Sequence, residues 1–293
     1  LANLLGREER TTELILDSRI PQVFTFLTGS ERIRHPQTDR LPDSCTLVAL
    51  DCATQRRLGD CMPLAERAEL LVNVDHHQSN ERYGDLHWIE PDVSSTSEMI
   101  LDFATQLGLD ICPDTAEAVY VGIITDTGRF CHSNTSPSCL HAAARLVQMG
   151  VDPGRMGELL YKNVQWSILQ LRTLALNTIR LALDQRVATM EIHDEMFHRT
   201  GTDPIDTQEF VDIPAAIEGV EVAVLLRDVP GANDTKVSLR SKGEVDVSAV
   251  AQQFGGGGHR NAAGCEISAS IPEARRRVIA ALSASLNPSE TPT

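Results

Sequence analysis

Two stretches decide how this chain folds: Thr46-Leu47-Val48-Ala49-Leu50-Asp51 and Leu70-Leu71-Val72-Asn73-Val74-Asp75-His76-His77. Each is a short apolar run, of the length and composition of a buried strand, that ends in an aspartate. The two aspartates stand 24 residues apart, enough for one strand–crossover–strand unit. Residues 13–16 form a third candidate strand, and residues 21–27 and 63–68 are candidate helices. This alternation predicts a parallel α/β sheet. Ligands of open parallel sheets collect beyond the carboxyl ends of the strands, so Asp51 and Asp75 belong to one functional edge. One aspartate after one strand is an ordinary loop residue, and an adjacent histidine pair is more often a surface feature. Two aspartates at crossover spacing, the second opening Asp75-His76-His77, reverse that weighting. Adjacent histidines in irregular backbone point in different directions, so one can bind a metal while the next faces substrate.

Downstream, Ser95 and Glu98 have the spacing of a capping box, with Met99, Ile100, Phe103 and Leu107 as the expected buried stripe and Gly108 as the stop. Asp114 and Glu117 repeat the device for a helix through 118–124. A further helix is expected over 137–149, ending at Gly150. Gly122-Ile123-Ile124-Thr125-Asp126-Thr127-Gly128-Arg129-Phe130 falls where the second of these helices ends. Asp126 could be a plain helix terminus stopped by Gly128. A carboxylate at the negative end of a helix dipole is unfavourable, however, and a bound cation would relieve the conflict. Carboxylates with imidazole suit manganese, iron or zinc.

Residues 164–184 carry apolar positions at three- and four-residue steps, which predicts a helix joining two domains; an ordinary core helix is the alternative. The second part changes character. Strands are expected at Val187–Ile192, 221–227 and 236–240, with a hairpin turn at 229–234 and a closing helix at 272–285. Within it lies Phe254-Gly255-Gly256-Gly257-Gly258-His259-Arg260-Asn261-Ala262-Ala263-Gly264. Four glycines can expose backbone N–H groups as an anion-binding nest, to which His259 and Arg260 add donors. A flexible linker is the competing reading, but linkers are seldom set between an amphipathic helix (247–254) and a small-residue strand. Arg240 and Lys242 could add positive charge or lie solvated on the surface.

The chain of 293 residues suits two domains. With 41 Asp+Glu against 26 Lys+Arg it carries a net charge of −15, which disfavours long nucleic acid and favours a short or small phosphorylated ligand in a locally cationic site. Aromatics are 4%, too few for an extended base-stacking platform. Seven cysteines, an odd number without a C-x-x-C pair, argue for reduced thiols and a cytoplasmic setting. No stretch is apolar for the length of a membrane span, and no signal peptide is evident.

Asp51 after its strand, Asp75-His76-His77, the 122–130 segment and the 255–264 run occur in the order seen in the DHH phosphoesterases. With Ser94-Ser95-Thr96-Ser97-Glu98 they resemble the branch that degrades very short RNA and 3′-phosphoadenosine 5′-phosphate. The similarity spans nearly the whole chain. It implies a DHH domain over 1–163 and a smaller α+β DHH-associated domain over 185–286, joined by the linker helix read over 164–184; the tail over 287–293 is expected to be disordered. It also implies two divalent ions, usually manganese. Asp51 would bridge them, His76 and Asp126 would bind the second, and Asp75 would orient the site. His77 would contact the scissile phosphate. Gly256, Gly257, Gly258 and His259, assisted by Arg240, would hold substrate. The implied ligands are short RNA oligonucleotides or phosphorylated nucleotides, with no membrane; no protein partner is deducible, and a homodimer is left open.

The family's first motif, a His and two Asp after the first strand, has no counterpart here and is expected upstream of Leu1, so the chain is expected to be N-terminally incomplete and to bind the first metal poorly. The alternatives are a cyclic or linear dinucleotide phosphodiesterase, or a nucleotide-binding protein without turnover.

Overall fold

The computed structural model describes residues 1–7, 11–37 and 45–286, and the chain divides into two compact units, Leu1–Asn163 and Val164–Thr293. The tail expected over 287–293 lies outside the described residues.

In the first unit, α1 (Ala2–Arg7) is followed by two short strands paired in parallel, β1 (Leu14–Ile15) and β2 (Ile33–Arg34). The helix expected over 21–27 is a single 3-10 turn, Gln22–Phe24. The strand β3 (Thr46–Leu50) leads through a 3-10 turn, Gln55–Cys61, and α2 (Met62–Arg67) to β4 (Leu70–Asp75). The two strands pair in parallel with Leu50 opposite Val74, so both aspartates emerge at the same sheet edge. A third parallel strand, β5 (Leu86–Ile89), extends the sheet beside β4. Sequence patterning does not reveal it: Leu86-His87-Trp88-Ile89 mixes polar and apolar residues, and Leu86 is exposed. One face of the sheet packs Ala49 and Leu71 against Leu58 and Ala65 of the crossover.

Helices α3 (Thr96–Gln106), α4 (Pro113–Asp126), α5 (Pro137–Gln148) and α6 (Pro153–Tyr161) enclose a core of Leu101, Tyr120, Ile123, Leu146, Met156 and Leu160. The capping box forms with one change. Ser95 Oγ accepts the Glu98 amide at 3.1 Å, but the Glu98 carboxylate receives the amide and hydroxyl of Ser94 rather than of the cap residue. The buried stripe of α3 is Met99, Ile100, Leu101 and Ala104; Leu107, expected inside, is 60% exposed because the helix has already ended. Asp114 does not cap α4. Cys112 holds the cap position and Pro113 starts the helix with its preset backbone angle.

In the second unit, α7 (Trp166–Leu176) stops well short of residue 184. Thr178 ends it: its hydroxyl bonds Ala175 O and Glu191 O, and the Glu191 amide bonds that hydroxyl in return. The chain then forms β6 (Arg180–Ala182), which pairs antiparallel with β7 (Val187–Ile192). Pairing at a sheet edge thus overrides the helical period of 177–184. Nor is α7 a free-standing connector, for Leu171 and Ala175 pack on Met190, Ile192 and Leu225.

After α8 (Asp194–Thr200) and the short α9 (Asp212–Ala215) come β8 (Val222–Asp228), β9 (Thr235–Ser241), α10 (Val247–Gln252), β10 (Gly257–His259), β11 (Ala262–Ile267) and α11 (Ile271–Leu286). The sheet order is β10-β11-β9-β8-β7-β6, parallel only between β7 and β8. Strand β8 is apolar on both faces. Val222, Val224 and Leu226 meet α10 and α11, while Ala223 and Leu225 meet α7, α8 and the 204–211 turn, as side chains alternating at period two must when both faces are covered.

Gly122 sets the approach of α3 to α4: a Cβ there would lie 1.9 Å from Ser97 Oγ and 2.7 Å from Ser97 Cβ. Gly122→Ala should therefore destabilise the protein by roughly 1–3 kcal/mol in urea unfolding, and the second change Ser97→Gly should recover part of the loss.

Candidate metal centre

Asp51 follows β3 with φ +60, a left-handed backbone that a short polar side chain tolerates better than most. Its amide still donates to Val74 O at 3.0 Å, which fixes the turn to the sheet. Its Oδ1 accepts a hydrogen bond from Thr96 Oγ1 at 2.9 Å, so the first residue of α3 aims the carboxylate.

Asp75, His76 and His77, at the end of β4, are 0%, 1% and 7% exposed. His76 Nδ1 lies 3.1 Å from Val93 O. A carbonyl only accepts, so Nδ1 carries a proton, and the ring turns Nε2 toward the carboxylates. That Nε2 stands 3.2 Å from Asp126 Oδ2 and 3.5 Å from Asp51 Oδ1. Asp126 is the last residue of α4, where the helix dipole is negative. Its Oδ2 is buried and, among the described residues, receives no hydrogen bond. Burial pushes the Asp126 carboxyl upward, the imidazole of His76 draws it down, and Asp51 raises it again.

Electron-pair donors facing one another at such distances, one a buried carboxylate oxygen without a hydrogen-bond donor, fit a divalent cation with N/O ligands. The three residues singled out in the sequence are thus adjacent in space. Asp51 and Asp126 also line a cavity of about 400 Å³ with Leu50, Ser95, Thr96 and Gly122, a volume within the range of small-ligand sites.

Asp75 does not join that trio. Its Oδ1 accepts from His77 Nδ1 at 2.7 Å and its Oδ2 from Asn80 Nδ2 at 2.6 Å. Burial acts to raise its pKa, but these two hydrogen bonds and the His76 amide outweigh it and hold the group at about 2. It is therefore an anion across the working range, and it orients His77 with the proton on Nδ1. Asn80 also donates to Asn73 Oδ1, and Asn73, fully buried in β4, donates to Cys52 O. A second support lies behind Asp126: Asn134 Nδ2 donates to both Asp126 O (3.2 Å) and Ser94 O (2.8 Å). Thr96, Asn80, Asn73 and Asn134 were not singled out in the sequence. Only one signal was available, polar residues within or beside otherwise apolar strands and helix starts, and it marks Asn73 alone.

In the second unit the glycine run is built differently from an open nest. The amides of Gly255 and Gly256 donate to Gln252 O and Ala251 O, ending α10, so they cannot also bind an anion. Gly256 and Gly258 admit the neighbouring strand: a Cβ on Gly256 would lie 2.2 Å from Gly264 O, and one on Gly258 2.5 Å from Ala262 O. Gly257 and His259 are in β10. The register sets His259, Ala262 and Arg240 in one row across three strands, and Gly257, Gly264 and Ser238 in the next row on the same face. Paired residues share a face, so His259 and Arg240 stand about 10 Å apart over a floor of small side chains. Arg240 Nε lies 3.4 Å from Asp212 Oδ1.

The chain resembles known proteins along most of its length. A family model of the DHH family N-terminal domain matches residues 4–123, and one of the DHHA1 domain matches residues 184–287. The bifunctional oligoribonuclease and PAP phosphatase NrnA of Thermus thermophilus is 32% identical over 263 residues, covering 89% of this chain and 77% of that protein. Its Bacillus subtilis namesake is 28% identical over 77% of this chain and 71% of its own length. A crystal structure of an exopolyphosphatase-related protein from Bacteroides fragilis superposes with a TM-score of 0.82 at 25% identity, covering 96% of this chain and 85% of the other. Together with the parallel sheet and the aspartate–histidine edge, these likenesses establish that the chain belongs to the DHH phosphoesterase family.

Proposed function

We propose that this chain is a metal-dependent phosphoesterase that removes mononucleotides from RNA of a few nucleotides and the 3′-phosphate from 3′-phosphoadenosine 5′-phosphate. The observation that carries the reading is the approach of His76 Nε2 to Asp126 Oδ2 and Asp51 Oδ1 at the edge of a DHH-family sheet. The relatives named for both activities support the substrate class.

Asp51, His76 and Asp126 would hold a divalent cation, in our reading Mn2+ and one of a pair bridged by Asp51. When bound, such an ion supplies Lewis acidity toward a phosphoryl oxygen and lowers the pKa of water. The chain's own residues do the rest. Thr96 fixes the Asp51 carboxylate, and Val93 O sets the His76 ring so that Nε2 points inward. Asp75 holds His77 by Nδ1, so that the imidazolium form of His77 would donate from Nε2 to the scissile phosphate, and Asp75 acts through another residue. Gly257, His259 and Arg240 would offer a small-residue floor with a cationic end for a base, sugar or second phosphate; Gly256, whose amide is already engaged, and Gly258, which pairs with Ala263 on the opposite, core-facing side of the sheet, would take part through their shape. The net charge of −15 supports short ligands over long nucleic acid. All seven cysteines are free, in keeping with the cytoplasmic setting we infer. Among the described residues no helix is long and apolar enough to cross a membrane.

The reading is tested by incubating the full-length natural protein with Mn2+ and a 5′-labelled short RNA, and separately with 3′-phosphoadenosine 5′-phosphate. Mononucleotides and inorganic phosphate are the expected products, and Asp126→Ala should abolish both. A cyclic dinucleotide cleaved faster than either substrate would replace this assignment with the dinucleotide alternative. Asp75→Asn should lower kcat about 10- to 100-fold while the fold is retained, because the amide cannot hold His77 as a carboxylate does. Unchanged kcat in Asp75→Asn would remove the positioning role.

A further inference from the structure

Arg57 lies on the 3-10 turn Gln55–Cys61 that follows β3. The turn is anchored from both sides. Leu58 is buried against Ala49, Ala65 and Leu71, and the Arg57 amide donates to Thr54 O at 3.0 Å. Gly59, at φ +50, leaves room for the Asp17 side chain, whose Oδ2 would lie 2.0 Å from any Cβ placed there. The guanidinium is presented from this fixed turn, with Nη1 3.4 Å from His77 Nε2. Other arginines of the same unit, Arg34 and Arg155, are paired with glutamates. Arg57, like several arginines of this unit, has no ion pair with a carboxylate among the described residues, but it alone stands beside His77, with Asp51 and Asp75 close enough to act on the neighbouring Cys52 together with it.

We propose that Arg57 is a phosphate-binding residue of this site; the proposal rests on the phosphoesterase reading above. The chain is strongly acidic, and Asp51, Asp75 and Asp126 gather at this edge, so an incoming phosphate meets repulsion that a metal alone must offset. A guanidinium carries five N–H donors in a planar fork matched to phosphate oxygens. Contact with His77 Nε2 occupies at most one arm of that fork. His77 Nδ1 is committed to Asp75, so Nε2 and the guanidinium border the same space. A phosphoryl group there receives charge-assisted hydrogen bonds from Arg57 beside its contact with His77.

Calorimetric titration of the whole protein with inorganic phosphate, at saturating Mn2+, tests this directly. Arg57→Ala should weaken phosphate binding about 10- to 100-fold, the loss expected for a charge-assisted pair. Arg57→Lys, which keeps the charge without the fork, should fall between the two. The side chain is exposed, so both variants should keep the melting temperature of the parent. Phosphate affinity that is equal in parent and Arg57→Ala, or no phosphate binding by the parent, overturns the proposal. Hydrolysis of 3′-phosphoadenosine 5′-phosphate, run in parallel, separates it from the reading beneath. Arg57-dependent phosphate binding without any turnover by the parent would overturn the phosphoesterase reading and keep the phosphate site. Turnover by the parent with an unchanged KM in Arg57→Ala would do the reverse.

Discussion

The first unit is organised around an electrostatic conflict. A strand end, a second strand end and a helix C-terminus each deliver a ligand-type side chain to one place, and two of the three are carboxylates. Asp126 is worst placed: it is partly exposed but its Oδ2 is buried, it sits at the negative pole of α4, and that oxygen receives no hydrogen bond among the described residues. Buried anions persist when something positive compensates them. A divalent cation among His76, Asp126 and Asp51 would be such a partner. The left-handed backbone of Asp51 and the bond from Asn134 to the Asp126 carbonyl point the same way, since both use local structure to fix residues whose carboxylates repel each other.

Asp75 shows how environment divides the labour among similar groups. It is as buried as any residue in the chain, yet its pKa falls because both oxygens accept hydrogen bonds, whereas that of Asp126 rises because burial is not compensated in that way. The first carboxylate is satisfied within the protein and fixes a histidine. The second has an oxygen that takes no hydrogen bond among the described residues. Aspartates that look alike in sequence are thereby given different work.

Much of this was legible in the sequence. The apolar runs before Asp51 and Asp75 gave strands, spacing gave the parallel crossover, and order along the chain gave the resemblance to the family. What patterning could not show depends on contacts distant in sequence. Strand β5 is too polar to stand out and exists because β4 offers it an edge. Residues 177–184 keep a helical period but form β6, because Thr178 ties the chain to Glu191 and β7 presents an open side. The glycine run suggested an anion nest; its first two amides close α10 instead, and two of its glycines are required by the close approach of β11. Asn80 and Asn134 carry no local signature, and Thr96, although inside the Ser94–Glu98 segment, shows its part only through Asp51, 45 positions away.

The central claim is that Asp51, His76 and Asp126 form a metal site, and electron paramagnetic resonance of added Mn2+ tests it most directly. The free aquo ion gives a sharp six-line signal that is lost on binding. The account predicts that the protein quenches this signal and that His76→Ala and Asp126→Ala each weaken the quenching at least tenfold, with the fold intact by circular dichroism. Equal quenching by the parent and both variants would contradict it.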